Sequence, residues 1–138
     1  MLKYFRFLLS LILVISFTEE IKATHVPGGN ITYENIGPNT FVVTLTVFED
    51  CGTAFMGNTA QTVMVSNSCG LSSPNINLPN VVFQDEVSQL CLQMIGQSEC
   101  NGGGFPGVYM HVWRDTITLP GGCDSWVFAW DGCCRNTS

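Results

Sequence analysis

The chain has 138 residues, is 46% hydrophobic and only 12% charged, and sets five basic against eleven acidic side chains for a net charge of −6. With Arg114 and Arg135 as the only fixed cations beyond residue 23, it lacks the basic patch through which proteins displace counterions from a phosphate backbone, and nucleic acid is excluded as a partner. The length is that of a single domain, and seven cysteines in it ask for an oxidising compartment.

Residues 1–23 read as a secretion signal. Lys3 and Arg6 give a positive start, Phe7 to Phe17 is apolar except for Ser10 and Ser16, and Ala23 supplies a small residue at its end. The apolar run is shorter than the roughly 20 residues of a membrane span. Ile21 and Glu19-Glu20 make the cleavage site imperfect and leave an uncleaved anchor as the alternative, but cleavage after Ala23 is expected, leaving residues 24–138 as one extracellular module with two basic and nine acidic residues, a net charge of −7 and no stable membrane span.

Along this module the hydrophobic pattern has the two-residue period of strands, with Gly, Pro and Asn between segments. A first short strand is expected over Ile31–Ile36, ended by Gly37-Pro38-Asn39. The next, Thr40–Glu49, alternates most clearly: Phe41, Val43, Leu45 and Val47 share a core-like face, and together the two segments predict a hairpin. Thr59–Ser66 is a further strand, Asn80–Phe83 a short edge segment beside Pro79, and Val87–Ile95 is either a strand or a single turn of helix, with strand favoured because a Gly-rich loop follows it. Val108–Leu119 places Tyr109, His111, Trp113, Ile117 and Leu119 on one aromatic-rich face. After Pro120-Gly121-Gly122, Ser125–Trp130 closes the series with Trp126, Phe128 and Trp130 on one side. Six or seven short strands with turns between them predict an all-β fold, an antiparallel β-sandwich.

The cysteines lack the paired Cys-x2–4-Cys spacing of zinc knuckles, so disulfides rather than a metal are expected, and no cofactor is implied. Cys91–Cys100 across a short loop and Cys51–Cys69 are the favoured pairs. Cys133 and Cys134 are neighbours, whose side chains point to opposite faces of a strand and so reach different partners. Cys123 can serve either Cys133 or Cys134, and the other lacks a thiol within the chain or stays free and buried.

His111, among aromatics, is read first as a packed core residue. Glu49-Asp50, Asp85-Glu86 and Asp131-Gly132 offer carboxylates for Ca²⁺ without the spacing of a dedicated loop, and solvated turn acids are the plainer reading. The aromatics are the main candidate for ligand binding: Tyr109, Trp113 and Trp130 on an exposed sheet face would form a platform for a glycan. The competing reading is a core built around indoles, favoured for Trp126 and Phe128.

The order of several segments resembles a known module. Thr24-His25-Val26-Pro27-Gly28-Gly29-Asn30-Ile31-Thr32-Tyr33 is similar to the "SH-I-x-G-G-x-I-x-Y" opening that follows the signal peptide in large exported surface proteins of Bacteroidota, and Thr44 to Cys51 to their "T-L-x-x-Y-R-D-C" strand. Asp115 to Pro120, Trp126-Val127-Phe128 and Cys133-Cys134-Arg135-Asn136 are similar to their "x-x-x-V-T-L-P", "W-x-F" and "C-C-R-N" segments. Phe48-Glu49 stands in place of the Tyr-Arg pair. The resemblance is to the N-terminal module of gliding-motility-associated and PKD-repeat proteins that leave by type IX secretion. It implies that sequence runs on after the Cys-Cys-Arg-Asn segment, so that the odd thiol marks a truncation, and it supplies no catalytic residues. The function expected is that of a non-enzymatic module of a secreted or cell-surface protein, in adhesion, gliding or surface assembly, whose partners are the downstream domains of its own polypeptide and a surface glycan or protein. A carbohydrate- or Ca-binding module is the alternative, and an accessory domain of an exported hydrolase the third reading.

Overall fold

The computed structural model describes residues 26–52 and 56–132. The expected signal at 1–23, His25, and both Cys133 and Cys134 lie outside them. Among the described residues seven strands form: β1 (Gly28–Gly37), β2 (Thr40–Asp50), β3 (Gln61–Ser66), β4 (Ile76–Leu78), β5 (Asn80–Glu86), β6 (Val108–Thr118) and β7 (Val127–Ala129). They build two antiparallel sheets, of order β1-β2-β6-β5 and β4-β3-β7. The expected antiparallel β-sandwich is therefore the fold.

The hairpin of β1 and β2 turns at Pro38 and Asn39, where proline fixes one backbone angle and Asn39 takes a left-handed φ of 52°. The Thr40 hydroxyl donates to the Pro38 carbonyl at 3.1 Å and steadies the turn. From there β2 pairs residue for residue with β6, from Thr40 opposite Thr118 to Asp50 opposite Val108. This long register puts Val43, Leu45 and Val47 of β2 and His111, Trp113 and Ile117 of β6 on the inner face, where Val63, Val65 and Leu78 of the second sheet meet them. Tyr33, Phe41 and Phe128 close one side of the sandwich, with ring centroids 5.8–6.5 Å apart.

Two segments depart from the sequence expectation. Ile76–Leu78 is a strand too short to show a period, held between prolines at 74 and 79. Val87–Ile95 is not a strand. The backbone N–H of Val87 still reaches the Val108 carbonyl at 2.9 Å, but the chain then turns away through Cys91–Met94 into two short 3-10 turns, Ile95–Gln97 and Glu99–Asn101. Leu92, which alternation would place in a sheet, is 90% exposed. Asn80–Phe83, expected as an edge, is one, and it extends to Glu86 through a bulge at Gln84, whose φ is 53°.

The disulfides correct the expected pairing. Cys51 is bonded to Cys100 and Cys69 to Cys123, with Cα atoms 4.8 and 6.2 Å apart. Neither Cys91–Cys100 nor Cys51–Cys69 forms, and Cys123 is engaged with Cys69 rather than with Cys133 or Cys134. Cys91 is exposed and has no partner among the described residues. The reason lies in strand order. Cys51 follows β2 and Cys100 precedes β6, which are neighbours; Cys69 follows β3 and Cys123 precedes β7, which are neighbours too. Each bridge thus sits just beyond a pairing between strands remote in sequence, which local spacing does not reveal. At the first bridge a Cβ on Gly107 would stand 2.6 Å from the Cys100 sulfur, so only glycine fits where the Cys51 N–H donates to the Gly107 carbonyl.

With separations of 49 and 54 residues, each bridge is worth about 4 kcal/mol in the chain-entropy model. Non-reducing peptide mapping should recover the Cys51–Cys100 and Cys69–Cys123 pairs. Replacing both Cys69 and Cys123 by Ser should lower the unfolding free energy in urea by about 2–4 kcal/mol; an unchanged midpoint and slope would contradict this.

Candidate functional site

The three aromatics expected to form a platform do not form one. Trp113 lies in the middle of β6, is 0% exposed, and donates its indole N–H to the Thr59 carbonyl at 2.8 Å. It is enclosed, so no ligand can stack on it. Tyr109, half-buried four residues away, donates its hydroxyl to the Cys100 carbonyl at 3.1 Å and fastens the disulfide loop. Trp130 follows β7, on the other sheet, and donates to Gln61 Oε1 at 3.2 Å. It lines an apolar cleft of about 290 Å³ with Val26, Ile31, Leu45 and Phe128. The polar handles of all three rings are engaged inside the protein, as buried Trp and Tyr require.

The inner face of β6 holds a group that sequence reading divided. His111 is 0% exposed and its Nε2 lies 2.7 Å from Glu49 Oε2, with the two side chains 0% and 2% exposed. Val47 is opposite His111 and Glu49 opposite Tyr109, so the pair meets on the diagonal of one face. The imidazole is stacked on Trp113 at 5.7 Å and meets the edge of Phe83 at 5.2 Å. The contact has the length of an ion pair without the alignment of a hydrogen bond, and Nδ1 has no partner among the described residues. Glu49 Oε2 also accepts the Met56 N–H at 3.1 Å. Together with the Trp113 bond to Thr59, this ties the segment after β2 down onto the sheet.

Glu49 is therefore not the solvated turn acid that its place beside Asp50 suggested. The alternation of Val43, Leu45 and Val47 continues through it to the buried face. Following that period two residues further would have paired it with His111, already placed on the core face of β6. A buried pair of this kind contributes little against a well-packed apolar alternative, but removing one partner strands the other in a medium that solvates charge poorly.

Glu86, another acid considered for Ca²⁺, is held by protein groups. The Ser88 hydroxyl donates to Oε1 at 2.9 Å and the Asn101 amide to Oε2 at 2.8 Å. The hydroxyls of Ser98 and Ser88, with the Asn101 amide, hold its carboxyl below the usual glutamate value, against a smaller opposing effect of desolvation. Ser88 in turn accepts the Val108 N–H at 3.0 Å, so the cluster fastens the start of β6 to the loop that carries Cys100. Among the described residues no three His, Cys, Asp or Glu side chains converge as metal ligands.

Comparison with protein-family models, with characterised proteins and with solved structures finds no match. The chemistry of the chain is thus read from its own geometry: a core that encloses its one described histidine, a cluster of polar bonds around Glu86, and accessible concavities that include the apolar cleft beside Trp130 and a polar groove on the outer face of the larger sheet.

Two outcomes are expected. His111→Ala, which leaves Glu49 buried without its partner, should cost about 3–5 kcal/mol in urea unfolding, whereas Asp50→Asn beside it should stay within about 0.5 kcal/mol. Because the Glu86 carboxyl is lowered in the fold, its contribution is complete above the usual glutamate value and is lost as pH falls through the lowered one. The protection factors of the Asn101 and Val108 amides, taken relative to their intrinsic exchange rates, should therefore fall on acidification through that range, and Glu86→Gln should remove this pH dependence. An identical profile in the variant would show that Glu86 is not its source.

Proposed function

We propose that this chain is a non-enzymatic interaction module of a secreted or cell-surface protein, acting in adhesion or in assembly at the bacterial exterior. The observation that carries the reading is the pair of long-range disulfides. Such bridges persist outside the reducing cytosol, and here they rigidify a small sandwich that must hold its shape without chaperones. The apolar, positively started segment at residues 3–17 supports export, and the ordered motifs of the resemblance support a place at the head of a larger surface protein. Its partners in this reading are downstream domains of the same polypeptide and a surface glycan or protein.

The distribution of chemistry supports binding over catalysis. The imidazole of His111 and the carboxylate of Glu49, the pair best suited to proton transfer, are both enclosed, whereas general acid–base work needs a proton donor within reach of substrate. What the surface offers is sheet face and sheet edge. The outer strand β1 runs for ten residues with Glu34 as its single charge, and it exposes Tyr33 at 65% and Ile36 at 55%. Such a surface suits association with another molecule.

Protease shaving of intact producing cells should release peptides of this module whose cysteines are paired 51–100 and 69–123. An in-frame deletion should reduce surface attachment or spreading without slowing growth in suspension. Recovery of the module only from the cytosol, with free thiols, would overturn the proposal.

A further inference from the structure

The outer face of the larger sheet carries a concave groove of about 560 Å³ whose wall includes Thr32, Glu34, Thr44, Arg114, Asp115 and Thr116. It is built by strand register. Thr32, Thr44 and Arg114 stand in one row across β1, β2 and β6, and Glu34, Val42 and Thr116 stand in the next. Three strands and two rows make a patch of about 10 Å by about 7 Å, the footprint of one or two pyranose rings. The aromatic residues considered from sequence take no part in it.

Arg114 is the only lysine or arginine among the described residues, which carry nine acids. Even so, no carboxylate of the described residues lies within ion-pair distance of it, since the one such contact is that of His111 with Glu49. The guanidinium is nonetheless positioned: its Nε donates to Thr44 Oγ1 at 3.1 Å, and its backbone N–H is held by the Pro79 carbonyl at 3.1 Å. The Nη groups, the tips of the fork, have no protein acceptor among the described residues. A guanidinium fixed at its base with a free fork is suited to a planar anion, above all a carboxylate.

The rest of the wall offers partners for hydroxyl groups. Glu34 presents acceptors that receive hydrogen bonds from them. Asp115, opposite the buried Val43, has its side chain on the other face of the sheet, where Oδ1 accepts the Thr116 N–H at 2.7 Å. The threonine hydroxyls both donate and accept, and Val42 between them offers methyl groups to an apolar ring face. One carboxylate, several hydroxyls and an apolar face together describe a sugar acid.

We propose that this groove is a binding site for a saccharide bearing a carboxylate, such as a uronic acid residue, with the carboxylate on the Arg114 fork and ring hydroxyls on Glu34 and the threonines. This assignment deepens the interaction-module reading by naming a ligand. Its test uses purified, oxidised protein and so succeeds or fails independently of where the cell places the chain.

Titrating the oxidised full chain with trigalacturonate and with neutral galactotriose, followed by amide chemical shifts and calorimetry, checks the assignment. Trigalacturonate should bind at least about tenfold more tightly, a difference of about 1.4 kcal/mol, with shifts centred on Thr32, Thr44, Arg114 and Thr116. Arg114→Ala should abolish binding and Arg114→Lys weaken it about tenfold. Glu34→Ala is the decisive second variant: a built site loses affinity, whereas unspecific attraction of an anion to one arginine gains affinity when a nearby carboxylate is removed. Equal binding of the two sugars, binding unchanged in Arg114→Ala, stronger binding in Glu34→Ala, or tighter binding of a peptide through its C-terminal carboxylate would each overturn the assignment, as would absence of shifts at millimolar trigalacturonate.

Discussion

The pairing of β2 with β6 governs this molecule. Eleven consecutive residue pairs, Thr40 opposite Thr118 through Asp50 opposite Val108, fix at once which side chains face inward and which outward. A slip of one residue would turn every side chain of a strand to the other face, placing Glu49 and His111 in solvent and Thr44 and Arg114 in the core. The buried valines, the Trp113 bond to Thr59, the enclosed pair of Glu49 and His111 and the outward row that holds Arg114 are all expressions of one register. That register is non-local, since the paired strands are separated by β3, β4 and β5, and the two disulfides lie where such remote pairings end.

Polar groups divide between the faces in an instructive way. Inside, Glu49 and His111 sit among Trp113 and Phe83, where an unpaired charge is costly; they are tolerated because each is the other's partner and because Glu49 also receives the Met56 N–H. An enclosed pair of this kind penalises any arrangement that separates its members. Outside, Arg114 is anchored to a hydroxyl rather than to a carboxylate, and water screens what the acids around it would otherwise do.

Much of the architecture was legible in the sequence because it rests on period and punctuation. The alternation in β2 and β6, the Pro38-Asn39 turn and the aromatic inner face of β6 are local patterns, and the fold bears them out. Three things were not legible. Ile76–Leu78 is too short for a period to appear. Val87–Ile95 alternates suitably, yet finds no strand to pair with once Ser88 and Asn101 bind Glu86. The disulfides follow from strand order, which spacing between cysteines does not encode. The site residues divide similarly. Trp113 looked like a ligand platform because aromatic alternation does not say which face is covered, and the groove around Arg114 comes from three strands whose threonines look unremarkable singly.

The two bridges are interleaved along the chain, for Cys69 falls inside the loop closed by Cys51–Cys100, and Cys100 inside that closed by Cys69–Cys123. In consequence no single peptide-bond cleavage between residues 51 and 123 can divide the protein into separate pieces. A cut before Cys69 leaves the fragments joined through the first bridge, a cut after Cys100 leaves them joined through the second, and a cut between is spanned by both. When a protease cuts the chain there, the wiring of the cross-links converts a backbone nick from the loss of a part into a local change in a molecule that remains in one piece.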